Sequence, residues 1–214
     1  MSGSLAAPLR SAFFEAVFVV FGVVLALTAN EWRENVRARE TAAGALHDIL
    51  TELEADRALL TESRTYHKER IQIISRKLGT GEKVTGADFP RGFIRPAWVT
   101  DTAWQVATST GAINHMDYAT VLDISRAYDE LEHYKQQTDL VGGLIYAAIF
   151  DDGTQGVAGR PENLRTIIFT FVYRESEAIT KLEETLRKYG EAAGVAGPDS
   201  SGSGSTAPKG GTAG

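Results

Sequence analysis

Apolar and polar positions are unevenly spread along the chain, and their spacing divides it. Residues 11–30 read SAFFEAVFVVFGVVLALTAN, and from Ala12 to Ala29 there are 18 residues with a single charge, Glu15. At about 1.5 Å per helical residue, such a stretch reaches roughly 27–30 Å, close to the thickness of a bilayer's hydrocarbon core. Trp32 and Arg33 follow at once. An indole suits the membrane–water interface, and a guanidinium can extend to it from a helix end, so the pair reads as an interfacial anchor. The pattern predicts a retained transmembrane helix over 11–30. A cleaved signal peptide or a buried core helix are the alternatives. Residues 25–29 (LALTA) make a poor cleavage site, and the large residues Phe13, Phe14, Phe18 and Phe21 favour an anchor that stays.

Beyond the anchor the apolar period becomes helical. Leu46, Leu50, Leu53, Leu60, Ile71, Ile74 and Leu78 recur at steps of three, four or their sums, and residues 31–78 hold no Pro and only Gly44. The anchor should therefore continue unbroken into a stalk, a rod on the order of 100 Å. Arg57, Arg64 and His67 fall on the apolar stripe, which argues for packing within a domain and not for a free coiled coil. Gly79 and Gly81 should end this helix. A Gly- and Pro-rich linker over 79–99 follows, then a short helix capped by Asp101 and closed by Gly111. A long helix capped by Asp117 runs to about Phe150, with Gly142 and Gly143 bending it or admitting a neighbour. Residues 151–159 read as a loop. A last helix starts at Pro161 and is stopped by Gly190. The expected fold is all-α: an N-terminal transmembrane helix continuing into a long stalk helix, packed with two further long helices and one short helix. The domains are an N-terminal tail (1–10), the span (11–30), a helical extramembrane domain (31–195) and a disordered Gly/Ser-rich tail (196–214).

Two places offer surfaces for recognition. On a helical projection Ser11, Glu15, Gly22 and Ala29 fall together, with Ala26 close by. Small residues allow close helix approach in lipid, so this stripe is a candidate seam for a partner transmembrane helix. Alternatively, Glu15 lies shallow enough to reach water by itself. In the linker, Phe89, Phe93 and Trp98 interleave with Arg91 and Arg95. These residues either complete the domain's own core or form a docking loop; an anion site on the two arginines is a weaker option.

Composition removes most chemistry. The 214 residues include no Cys, which excludes disulfides, thiolate metal sites and a Cys nucleophile. A formal charge of -6 with no basic face argues against nucleic acid as a partner. No two of His47, His67, His115 and His133 have the i, i+4 spacing of a helical metal site. Asp151-Asp152-Gly153 opens like a calcium loop but lacks its later ligands. There is no nucleophile elbow and no phosphate-binding glycine loop. The expectation is therefore no catalytic residues, no cofactor and no metal.

Two stretches, FFEAVFVVFGVVLALTANEWRE and DTAWQVATSTGAINHMDYATVLDISRAYDELEHY, carry a recognisable pattern. The first places Glu15, Gly22, Asn30 and Trp32 as acid, apolar run, Gly, apolar run and Asn-x-Trp. The second places Thr102, Trp104, Ser109, Gly111, Leu122 and Tyr128. Together they resemble an uncharacterised bacterial family of small single-span membrane proteins with a helical domain. The family's strongly basic N-terminal extension is missing here. The resemblance implies the anchor-plus-helical-domain architecture and nothing catalytic.

The expected function is a non-catalytic, membrane-anchored accessory or structural subunit that docks on and braces a larger membrane protein complex. Its partners would be the lipid bilayer and integral membrane subunits, and self-association into a homo-oligomer stays open. The alternative is a membrane-anchored helical domain that senses a ligand. The expected location is the bacterial cytoplasmic (inner) membrane as a single-pass protein. Arg33, Arg37 and Arg39 favour an inner-face domain, whereas a short N-terminal tail before one uncleaved span favours export; the reading leans to the periplasmic face.

Overall fold

The computed structural model describes residues 6–195, with side chains described from Phe18 onward except that of Ala192. Four α-helices and two short 3-10 turns make up the fold, and there is no strand among the described residues. The first helix, α1 (Ala6–Thr80), is continuous over 75 residues, about 110 Å. No Gly or Pro lies between Gly22 and Gly44, where the apolar segment meets the stalk, and the expected fusion of the two is observed. It ends as expected: Gly81 adopts the left-handed conformation (φ 72°), and the Glu82 amide donates back to the Lys77 carbonyl at 3.0 Å.

The bundle is built from the distal half of α1 with α3 (Tyr118–Ala158) and α4 (Pro161–Ala193). Asp117 caps α3 by accepting from the Ala119 and Thr120 amides. Helix α4 runs antiparallel to α1: His67 meets Glu175, Arg57 meets Glu183 and His47 meets the Ala193 carbonyl. Of the apolar stripe read from the sequence, Leu50, Leu53, Leu60 and Ile74 are fully buried, with Ile49 beside them, against Leu164, Ile168, Phe171, Ile179, Leu182 and Leu186, while Leu46, Ile71 and Leu78 are half-buried. The short helix α2 (Thr102–Ser109) and the 3-10 turn after it lie against the start of this packed region.

Several boundaries differ from expectation. Residues 151–159 are not an open loop: helix continues to Ala158 across a single non-helical residue, Gly153 (φ 70°, ψ 168°). Only glycine adopts such a backbone readily, so the kink falls there. Gly142 and Gly143 neither bend α3 nor admit a neighbour; a Cβ at either would meet nothing within 4 Å. Gly190 does not stop α4, which runs to Ala193 and ends at left-handed Gly194. Asp101 precedes α2 but its side chain caps nothing.

The proximal part of α1 stands apart from the bundle. From Phe18 to Thr41 nothing is buried, and the first buried residue is Ala42. Among the described residues no helix is long and apolar enough to cross a membrane. The expected span 11–30 lies only partly within them, because the side chains of residues 11–17, Glu15 included, are outside the described set. Counted from Phe18, eighteen residues extend to Asn35 and take in Glu31, Arg33 and Glu34. The expected tail 196–214 is also outside the described residues.

Candidate functional site

A bundle of three long helices leaves one edge open, and the linker fills it. Residues 81–101 run back along α1 in extended and 3-10 conformation instead of forming a fourth helix. An irregular segment placed on a core must find partners for its own amides and carbonyls. Here side chains supply them. Arg70 donates to the Asp88 carbonyl at 2.5 Å and Tyr66 to the Gly92 carbonyl at 2.5 Å. The Arg95 amide donates to His67 Nε2 at 3.0 Å, and the Ser63 hydroxyl lies 2.5 Å from the Arg95 carbonyl. From α3, Tyr134 accepts the Ala97 amide at 2.8 Å. Asp56 accepts from the Thr100 amide and Glu52 from the Ala103 amide.

The residues that α1 contributes are Glu52, Asp56, Ser63, Tyr66, His67 and Arg70. Their spacings of three, four and seven place them on one helical face. The linker is thus a strap laid along a polar stripe of α1. Glu52 does the work expected of Asp101, because it receives the Ala103 amide in the first turn of α2, while Asp56 takes the Thr100 amide just before the helix. Asp101 instead binds Lys135 and Gln105.

The centre of this contact is fully buried. His67 and Glu175 have no exposed side-chain surface and meet at 2.9 Å through Nδ1 and Oε1. Since Nε2 accepts the Arg95 amide, the ring proton sits on Nδ1 and is donated to Glu175. Ser63 reaches the same Glu175 oxygen at 2.6 Å. The other oxygen, Oε2, is buried without a hydrogen-bond partner. The cluster thus joins α1, α4 and the strap through groups that would be costly to bury unpaired. Ser63 and His67 both close on one Glu175 oxygen, and the arrangement acts as a clamp between the elements.

Burial changes the proton affinity of neighbouring groups. It pushes the Asp56 carboxyl up from 3.8 to about 7, with the charges of Glu52 and Asp101 adding to the effect; the Thr100 amide and Lys135 oppose it. Burial raises the Tyr134 hydroxyl to about 12, assisted by the charge of Glu175. Tyr128 is also pushed up, first by burial and then by its 2.7 Å hydrogen bond to Glu52.

The linker residues singled out from the sequence separate. Phe89 and Phe93 are buried with their rings 4.8 Å apart, packed with Ile74, Ile145 and Leu164, as core residues would be. Arg91 and Arg95 both turn to Glu62, at 3.5 and 2.6 Å. Trp98 remains 87% exposed. It borders a half-open cavity of about 440 Å³ between the strap and α3. Of the stripe on α1, Ser11 and Glu15 have side chains outside the described residues. Gly22, Ala26 and Ala29 are exposed, with nothing within 4 Å of a Cβ at Gly22. Trp32 and Arg33 are exposed one turn further on. Among the described residues no group of three His, Asp or Glu side chains could hold a metal ion.

The polar stripe and the cavity were not read from the sequence. The interruption of the apolar stripe at His67 was the visible sign of the former. No protein-family model, curated protein or solved structure matches the chain.

Proposed function

We propose that this chain is a non-catalytic membrane-anchored subunit, which docks by its N-terminal helix on a larger membrane protein complex and braces it with its helical domain. One observation carries the reading. Phe18, Val19, Val20, Phe21, Val23, Val24, Leu25 and Leu27 are all more than half exposed, on a helix that has left its own bundle. Successive residues point about 100° apart, so the apolar surface surrounds the helix. A helix that is apolar all round requires lipid or other helices around it. The sequence supports lipid, since 12–29 is long enough to span and Trp32 and Arg33 stand at its end. The same features, with the family resemblance, support a single-pass location in a bacterial inner membrane. The small residues Gly22, Ala26 and Ala29 give the seam, with Ser11 and Glu15 preceding them.

The test uses the absence of native cysteine. Single cysteines at positions 20, 24 and 51 of the full chain are exposed to a membrane-impermeant maleimide in native membranes. Labelling at 51 with protection at 20 and 24, and retention in the membrane pellet at alkaline pH, are the expected results. Recovery of the chain in the soluble fraction with all three sites labelled refutes the anchor. For the docking step, Gly22→Leu should release a co-purifying membrane subunit; unchanged co-purification removes the seam. A second reading, a membrane-anchored ligand-sensing domain, is favoured by the cavity beside the strap.

A further inference from the structure

The cavity beside the strap has largely apolar walls. Phe89, Phe93, Ile94 and Pro96 face Ile145 and Ile149 across it, and Trp98 and Tyr146 stand at its exposed margin. Its volume of about 440 Å³ falls within the range of small-molecule sites. Gly142 and Gly143 line it with no side chain, and a Cβ there would meet nothing within 4 Å. The absence of side chains at two successive positions of α3 is what leaves the space open.

Charge narrows the occupant. Asp139 is the one charged residue in the lining, which contains no Lys, Arg or His. It forms no ion pair among the described residues. The nearest basic residue along α3, Lys135, is held by Asp101 at 3.2 Å and Glu132 at 3.1 Å. Arg91 and Arg95 of the strap are held by Glu62. An anionic ligand would therefore meet an unneutralised carboxylate and no cation. A cation would meet that carboxylate together with indole and phenol rings, whose faces attract positive charge.

We propose that this cavity binds a hydrophobic organic cation, an amine or quaternary ammonium carrying aromatic or aliphatic bulk. The apolar part fills the space over Gly142 and Gly143, and the positive group lies at the Asp139 margin. The proposal rests on the ligand-sensing reading and names the class of what is sensed; it is independent of the anchor. Because the strap forms one wall, occupancy presses on the segment that the His67–Glu175 clamp holds.

The test compares two probes of one shape and opposite charge, tetraphenylphosphonium and tetraphenylborate. Their binding to the full chain is measured by equilibrium dialysis, with protein-free nanodiscs of the same lipid subtracted as the partition background. Gly142→Leu adds a helix-favouring side chain into open space, so an unchanged or higher Tm is expected and lost binding is not lost folding. The cation should bind at least tenfold more tightly than the anion, Gly142→Leu should abolish the difference, and Asp139→Asn should weaken the cation several-fold while sparing the anion. Gly142-sensitive binding of both ions alike overturns the cation proposal and leaves a ligand site. Absence of any Gly142-sensitive binding overturns the proposal and the ligand-sensing reading together.

Discussion

Asp56→Asn tests whether the strap is held by a carboxyl whose proton affinity the fold has raised. The side chain is only 2% exposed, and both its oxygens lie 3.2 Å from the Thr100 amide. Its pKa is about 7 in the folded chain against an ordinary 3.8. Between these values the folded state holds a proton that the unfolded state has released, so stability falls as pH rises through the window. The shift spans about three pH units, and each is worth about 1.4 kcal/mol, giving a loss of roughly 4 kcal/mol between pH 4 and pH 8. Asparagine keeps a neutral acceptor for the Thr100 amide and cannot ionise. The variant should match the wild type or fall about 1 kcal/mol below it at pH 4, and exceed it by roughly 2–4 kcal/mol at pH 8. Urea unfolding followed by circular dichroism at both pH values measures the difference. Carboxylates with lowered pKa values, such as Asp88 beside Lys77, shift stability the opposite way but cancel in that difference. Parallel pH profiles for the two proteins, or a variant less stable at pH 8, would refute the reasoning.

Other substitutions probe other links. His67→Ala strands the Arg95 amide and the Glu175 carboxylate in the core and should cost about 3–5 kcal/mol in urea unfolding; a loss under 1 kcal/mol would show that the clamp holds nothing. Gly81→Ala meets no atom within 4 Å, so its cost is the left-handed backbone alone, about 1 kcal/mol by thermal melting, and a neutral result would deny the cap. Phe21→Arg places a charge mid-way along the apolar stretch, with an apparent insertion cost of about 3 kcal/mol. The variant should shift measurably from the membrane to the soluble fraction, and unchanged partition counts against a lipid-embedded helix.

The helical architecture was legible because it rests on period and punctuation. The stripe from Leu46 to Leu78, the Asp117 cap and Pro161 each act through the nearest few residues. Residues 151–159 read as a loop because one glycine can turn a helix and let it resume, and the residues after Gly153 carry no strong period. Gly190 misled because glycine ends a helix only where the chain needs φ > 0, and that need arises four residues later. The strap was invisible for a different reason. Its hydrogen bonds join residues far apart in the chain, Asp56 to Thr100 across 44 positions for example, and the Ser63–Glu175 bond beneath it spans 112. A polar residue on an apolar stripe reports that a partner exists without saying which. Phe89 and Phe93 were recognised as needing burial, but Trp98 shares their composition and stays outside.

The continuity of α1 has a mechanical consequence. Residues 30–41 join the apolar stretch to the bundle with no tertiary support, since none of them is buried. Isolated helix of this length is marginal in water, so the stretch persists through helix-favouring residues and through continuity with the folded bundle at its distal end. Because α1 is helical throughout, the spacing between the two regions is fixed at about 1.5 Å per residue. Spin labels on Val24→Cys and Thr51→Cys, both at exposed positions, should then show a narrow distance distribution near about 40 Å. Ala38→Pro removes a helical hydrogen bond and clashes with the preceding turn. It should broaden that distribution while leaving the bundle's melting temperature unchanged, because Ala38 contributes nothing to the buried core. A broad distribution in the unsubstituted chain would mean that docking at the N-terminal helix cannot position the domain, and the bracing role would fail even if the anchor were real.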